Sequence, residues 1–191
     1  MKIVTTPMCQ EVLRLADVQD FAVMKYIDSA DADIAVVLSE TNTSKKSIKL
    51  KLNTFSQIDD SIRLISETFG TKPLVSTVKD HDILDSVVED VNSKVKVKVY
   101  SKFLGDIVED LGFTVVRGYE DVKGTGKEDI EKETYNFLVY PDYMENKIED
   151  EIKLMGERAV KIPSHGNTSP NPIERAKLRY SILEKRLCTK L

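Results

Sequence analysis

The chain has 191 residues, a length that accommodates one sizeable core or one domain with a small appendage. Its 28 Lys plus Arg against 32 Asp plus Glu give a net charge of −4, which argues against nucleic-acid binding because phosphate recognition normally leaves a basic footprint. The two histidines argue against a multi-histidine metal cage, so we predict no metal site. Cys9 and Cys188 form neither a zinc spacing pattern nor a disulfide framework.

We expect neither a targeting segment nor a membrane span. The opening MKIVTTPMCQEVLRLA lacks the long apolar stretch of a signal peptide. No segment approaches the ~20 apolar residues that cross a bilayer. We therefore expect a cytoplasmic protein with reduced thiols and no membrane association.

Short apolar runs alternate with helical patterns, which predicts a three-layer α/β fold, with a mainly parallel sheet flanked by helices. In the N-terminal half the predicted strands are 2–5, 21–25, 34–38 and 48–52. The last alternates with period two, as edge strands do, and we expect one or more hairpin-like edge strands. The predicted helices are 10–16, 57–69 and 80–91; Thr54 or Ser56 caps the second and Gly70 ends it.

The C-terminal half continues the same pattern. Its predicted strands are 95–100, 113–116, 136–140 and 159–162. Its predicted helices are 102–111, capped by Ser101, then 147–154 and 172–187, while 119–132 is typical of a polar loop. We expect one α/β domain over 1–191, with the helix and tail at 170–191 packed on it.

The first candidate site is the turn after the first strand, where Cys9 is the candidate catalytic residue. Ligands of open α/β sheets bind at the carboxyl ends of the strands. A cysteine in the first turn of the following helix would have a lowered pKa, and its thiolate could attack a carbonyl group. The alternative is a buried cysteine that only packs. The neighbouring candidate ligand-binding residues are Thr6, Pro7, Met8 and Gln10.

Two further polar loops also follow predicted strands. The first contains the candidate ligand-binding residues Ser39, Glu40, Thr41, Asn42 and Thr43, which suit a ribose or a base edge. The second contains Ser164, His165 and Asn167, with His165 as a hypothetical base for Cys9. The start of the last helix and Arg175 could hold a phosphate. Plain surface loops are the alternative for both segments.

The opening KIVTTPMCQEVLRLA, with its single Cys9 after the first strand, resembles the F component of the Hcg proteins (HcgF). That family takes part in assembling the iron-guanylylpyridinol cofactor of the Fe-hydrogenase of methanogenic archaea. The resemblance implies that Cys9 accepts the adenylated carboxymethyl group of guanylylpyridinol and forms a thioester. Guanylylpyridinol or its adenylate is then the substrate, no cofactor is tightly bound, and the adenylating Hcg E component is the implied partner.

Two alternatives remain open beside this thioester-forming enzyme. One is a non-catalytic α/β module that binds a nucleotide or another small ligand, with Cys9 as packing. The other is a nucleotide hydrolase or deamidase that uses the loop after the third strand. The edge strand at 48–52 could also pair across a homodimer, unless its lysines shield it.

Overall fold

This computed structural model describes residues 1–75, 91–118 and 134–188. The predicted loop at 119–132 and all but the last residue of the predicted helix at 80–91 lie outside the described residues. The chain divides into two compact units, one made of Met1–Asp80 and Ser169–Ala176 and the other of His81–Thr168 and Lys177–Leu191. Each unit has its own sheet. The single domain over 1–191 stays a prediction.

The first unit contains a four-stranded parallel sheet. Its strands are β1 (Ile3–Thr5), β2 (Ala22–Val23), β3 (Ile34–Leu38) and β4 (Ser47–Leu50), in the spatial order β2-β1-β3-β4. Val4 pairs with Ala35 and Val36 with Ile48, which fixes the register across the centre of the sheet. β3 is buried along most of its length, as its unbroken apolar run predicts.

The described residues before 76 also form two α-helices, α1 (Gln10–Leu15) and α2 (Phe55–Phe69). Thr54 caps α2, since its side chain accepts a hydrogen bond from the Gln57 N–H. Gly70 ends α2 at φ 68°, a left-handed conformation that glycine adopts without steric cost. The stripe of Ile58, Ile62 and Ile65 is buried, as the helical spacing predicts.

The second unit repeats the strand order of the first. Its strands are β5 (Lys96–Val99), β6 (Thr114–Arg117), β7 (Phe137–Pro141) and β8 (Ala159–Ile162), arranged β6-β5-β7-β8 with parallel pairing throughout. Its helices are α3 (Lys102–Asp110), capped by the Ser101 hydroxyl, and α4 (Glu149–Met155). A last helix, α5 (Pro172–Leu187), contributes residues to both units.

The predicted α/β class is confirmed, and so is the mainly parallel pairing. The expectation of hairpin-like edge strands is wrong for the described residues, because the edge strand β4 pairs with β3 in parallel. Period-two alternation reveals a strand with one wet face, but it carries no information on the direction of the neighbouring strand. Within 1–75, 91–118 and 134–188, no helix is long and apolar enough to cross a membrane.

Candidate functional site

The carboxyl edge of the first sheet brings two predicted loops together. β1 and β3 are adjacent and parallel, so the turn that starts at Thr6 and the loop that starts at Ser39 leave the sheet on the same side. The Thr5 hydroxyl donates to the Val36 carbonyl over 2.8 Å and ties the two strands together at this end. The structure therefore confirms that the residues after β1 and β3 share one edge.

Cys9 lies at this edge, as the N-cap residue of α1, and is fully buried. Its N–H donates to the Thr6 carbonyl over 3.0 Å. Burial raises the pKa of the Cys9 thiol to about 11; the Thr6 hydroxyl and the charge of Arg175 oppose this rise, and the charge of Glu40 adds to it. The thiol is therefore protonated at neutral pH.

The predicted lowering of the Cys9 pKa is wrong. That prediction relied on the helix that follows, but α1 has only six residues and its dipole is correspondingly small. Desolvation of the thiolate is the largest influence on the group, and it acts in the opposite direction. The position of Cys9 was predictable from the sequence, whereas its burial was not.

Arg175 stands in the first turn of α5 and belongs to the first unit. Its side chain is 0 % exposed. Nη1 donates to the carbonyl oxygens of Ser169 at 3.0 Å and Pro170 at 3.1 Å. Nε and Nη2 are buried and have no hydrogen-bond partner among the described residues. The hydrogen bonds of Nη1 hold the planar guanidinium in place, so Nε and Nη2 have a fixed direction and yet no acceptor.

The guanidinium of Arg175 is charged at neutral pH although it is buried. Burial lowers its pKa to about 10, while interaction with Cys9 favours the charged form. No carboxylate of the described residues forms an ion pair with it. Because the Cys9 thiol is neutral, it does not compensate the charge either. Arg175 therefore carries a buried positive charge without an ion-pair partner among the described residues.

Thr6 adds a third polar group to this site. Its hydroxyl oxygen is buried and, apart from its contact with the Cys9 thiol, has no hydrogen-bond partner among the described residues. We call Thr6, Cys9 and Arg175 the arginine site. It offers a hydroxyl group, a weakly donating thiol and two parallel guanidinium N–H groups, a set that suits an oxyanion.

The other predicted residues of the first unit surround this site less closely. Pro7, Ser39, Glu40 and Asn42 are exposed, and Met8, Gln10, Thr41 and Thr43 are half-buried. The Thr43 hydroxyl donates to Asp28 over 2.6 Å, and the Ser44 N–H donates to the same carboxylate. Thr43 therefore anchors its loop to Asp28, and its predicted contact with a ligand stays a prediction.

Ser164, His165 and Asn167 belong to the second unit, whereas Cys9 belongs to the first. His165–Asn167 forms a short 3-10 turn, and the Asn167 amide donates to Asp142 over 2.6 Å. The Ser164 hydroxyl and N–H also bond to the Asp142 carboxylate, and these hydrogen bonds lower its pKa. The role of His165 as a base stays a prediction.

A second polar cluster, which the sequence analysis missed, surrounds Glu151 in the second unit. The Glu151 carboxylate, 18 % exposed, accepts hydrogen bonds from Lys98 at 2.8 Å and from the hydroxyls of Tyr100 and Tyr135. Burial alone would raise the pKa of Glu151, but the hydrogen bonds from these partners and the charge of Lys98 together outweigh it, so the pKa is lowered. Lys98 also lies over both tyrosine rings, 5.3 Å and 5.1 Å from their centroids. Every charge in this cluster has a partner, in contrast to Arg175.

The predicted absence of a metal site stays a prediction. Among the described residues no group of three or more His, Cys, Asp or Glu side chains is placed to hold a metal ion. The uncompensated guanidinium of Arg175 would also repel a cation at the carboxyl edge of the first sheet. The groups of the arginine site therefore do not suit a bound divalent metal.

Several solved structures are similar to this chain in fold. An ABC transporter substrate-binding protein from Listeria monocytogenes EGD-e has a TM-score of 0.60 at 13 % identity, with 96 % of this chain and 98 % of that chain covered. A metal-free mutant of a periplasmic metal-binding protein from Candidatus Liberibacter asiaticus has a TM-score of 0.56 at 8 % identity, with 98 % and 100 % covered. A Zn(II)-bound mutant of AdcAII from Streptococcus pneumoniae has a TM-score of 0.53 at 13 % identity, with 98 % of each chain covered.

Identities this low show a shared fold alone. No protein-family model matches the sequence, and a search of curated proteins gives no match. The resemblance to the HcgF family therefore stays a prediction that none of these comparisons tests.

The predicted role in iron-guanylylpyridinol biosynthesis is contradicted. Solved structures that share this fold include a substrate-binding protein and a Zn(II)-bound protein, which agrees better with the alternative of a non-catalytic ligand-binding module. The Cys9 thiol, with a pKa of about 11, is protonated at neutral pH. Enzymatic acyl transfer stays a prediction.

Proposed function

We propose that this chain is a binding protein for a small non-metal solute. The observation that carries the proposal is the fold: two units, each with a parallel sheet of the same strand order, as part of a structure similar to substrate-binding proteins. In such sheets the carboxyl edges of the strands are the usual place for a ligand. The edge of the first sheet presents buried polar groups rather than an ionised nucleophile.

The absence of a metal cluster from the described residues separates this proposal from the function that two of the similar structures carry in their names. A shared fold does not transfer a ligand, because the ligand is selected by side chains at the site. Here those side chains include a buried cation, which favours a solute with negative charge or acceptor atoms over a metal ion.

Thermal unfolding in the presence of single probes tests the proposal. The probes are zinc chloride, manganese chloride, sodium phosphate, sodium malonate, guanosine 5′-monophosphate, glycine and glucose, each at 1 mM and constant ionic strength. A ligand at 100 times its Kd stabilises the folded state by about 2.7 kcal/mol, which raises Tm by several degrees. We expect at least one non-metal probe to do so and both metals to leave Tm unchanged. Stabilisation by zinc or manganese alone, or by no probe, would contradict the proposal.

A further inference from the structure

The geometry of the unpaired donors on Arg175 points to the chemical class of the ligand. Nε–H and Nη2–H lie on one edge of the planar guanidinium and point in the same direction, which is the arrangement that binds two oxygens of one anion. Both atoms are buried without a partner, while Nη1 is held by two backbone carbonyls. We propose that Arg175 binds a carboxylate or phosphate group of the solute through this edge, an inference that rests on the proposed binding function.

Comparison with Arg179, one helical turn later, shows that the unpaired edge is not a general property of this helix. Arg179 is also 0 % exposed. Its Nε and Nη2, the same two atoms, both donate to the Pro163 carbonyl, at 3.3 Å and 3.2 Å. Its guanidinium carbon lies 4.5 Å from the centroid of the Phe103 ring. The protein thus satisfies this edge in one arginine and leaves it open in the other.

Leaving a buried cation unpaired is unfavourable, and native proteins seldom do so without a reason. The neighbours of Arg175 do not remove the cost, because the Cys9 thiol is neutral at pH 7 and the Ser169 and Pro170 carbonyls already accept from Nη1. An oxyanion at the open edge would supply both the missing charge and the two missing acceptors. The Thr6 hydroxyl, also buried, offers a further donor at the same site.

Carboxylates and phosphates both present a pair of oxygens to a guanidinium. A calorimetric titration with one anion of each class shows which of the two classes binds. Isothermal titration calorimetry at pH 7.5 and constant ionic strength uses sodium malonate in one arm and sodium phosphate in the other, with sodium chloride as the reference. We expect saturable binding of one of the two anions and none of chloride. Because the guanidinium is closed to solvent, side chains over it must move, and association should be slower than diffusion allows.

Two variants of Arg175 separate the contribution of the paired Nε–H and Nη2–H donors from the contribution of the positive charge. Arg175→Gln removes the charge and one donor pair, and we expect its affinity for the bound anion to fall at least tenfold. Arg175→Lys keeps a charge but not the parallel donors, and we expect an intermediate loss. The matched control is Arg179→Lys, a buried arginine on the same helix, which should bind the anion with the affinity of the parent. Circular dichroism spectra confirm that each variant is folded.

The outcomes distinguish this inference from the proposed function. Binding of a neutral probe such as glucose, with no binding of either anion, overturns the arginine assignment but leaves the binding function intact. Equal affinity of the parent and Arg175→Gln for an anion has the same meaning. If no non-metal probe binds at all, the proposed function itself is wrong.

Discussion

The two units share a strand order, but they treat buried charge differently. In the second unit Glu151 is surrounded by Lys98 and two tyrosine hydroxyls, and Arg179 is bonded to Pro163 and stacked on Phe103. In the first unit Arg175 keeps two buried donors open. A fully paired cluster contributes to the stability of a fold, whereas an open one is available to a ligand. Among the described residues of the second unit, Nε of Arg186 is also buried without a partner, but Nη2 of that side chain donates to the Glu157 carbonyl over 3.0 Å. The guanidinium edge on which both nitrogens lack an acceptor is therefore that of Arg175, in the first unit.

Replacing Arg175 and Arg179 by methionine, one at a time, should give the largest difference in the free energy of unfolding between the two units. Arg179→Met removes both hydrogen bonds to Pro163 and the contact with Phe103, and we expect it to lower the free energy of unfolding by about 3–4 kcal/mol. Arg175→Met removes an unpaired buried charge, which is favourable, together with the two hydrogen bonds from Nη1 to Ser169 and Pro170, which is unfavourable. Because the two effects oppose each other, we expect the free energy of unfolding to stay within about 1 kcal/mol of the parent. Urea denaturation measures both. Equal losses in the two variants would mean that Arg175 is as well satisfied as Arg179.

The second-largest loss of stability is expected from a substitution in the Glu151 cluster. Glu151→Gln leaves Lys98 without its carboxylate, and we expect a loss of about 2–3 kcal/mol in urea denaturation at pH 7. The matched control is Glu145→Gln, whose ion pair with Lys161 is exposed and should contribute little.

Acid dependence sharpens the same prediction. The pKa of Glu151 is lowered from 4.5 on folding, so its stabilising contribution is present above pH 4.5 and is lost as the pH falls through the lower value of the folded state. The difference in stability between the parent and Glu151→Gln should therefore shrink in acid. A difference that stays constant from pH 7 to pH 2.5 would show that the carboxylate charge is not what stabilises the cluster.

Cys9 gives a smaller effect, at alkaline pH. The pKa of its thiol rises from 9.0 to about 11 on folding, so stability is unaffected below pH 9 and falls as the pH rises through 11. By pH 11 the loss is about 2 kcal/mol, since one pKa unit corresponds to about 1.4 kcal/mol. In a Cys188→Ser background, urea denaturation from pH 8 to pH 11 should show this loss, and Cys9→Ala should abolish it. Fast reaction of Cys9 with iodoacetamide at pH 7 in the folded protein would contradict the buried, neutral thiol.

Local elements of the fold were predictable because their signals are local. Ile34–Leu38 and Ala159–Ile162 are strands and Pro172–Leu187 is a helix with the predicted bounds. Thr54 and Ser101 cap their helices as predicted. Apolar periodicity and capping residues depend on the nearest neighbours in the chain, which the sequence displays directly.

Long-range features were less accessible. The eight parallel strands of the described residues fit one sheet or two equally well, because apolar periodicity does not specify which strands pair. The division into two sheets was therefore not predictable from the sequence. The direction of the Cys9 pKa shift depends on burial from all sides. Arg175 was named from its place at the start of a helix, but its open edge depends on how Ser169 and Pro170 orient it.

The most direct test of the open edge is a proton–nitrogen NMR correlation of the arginine Nε–H groups, with Arg175 and Arg179 assigned from their lysine variants. Addition of the anion that calorimetry identifies, malonate or phosphate, should move the Arg175 Nε–H signal downfield in a saturable manner and leave the Arg179 signal in place. An Arg175 signal that does not respond, or that moves only together with that of Arg179, would contradict an anion-binding role for Arg175.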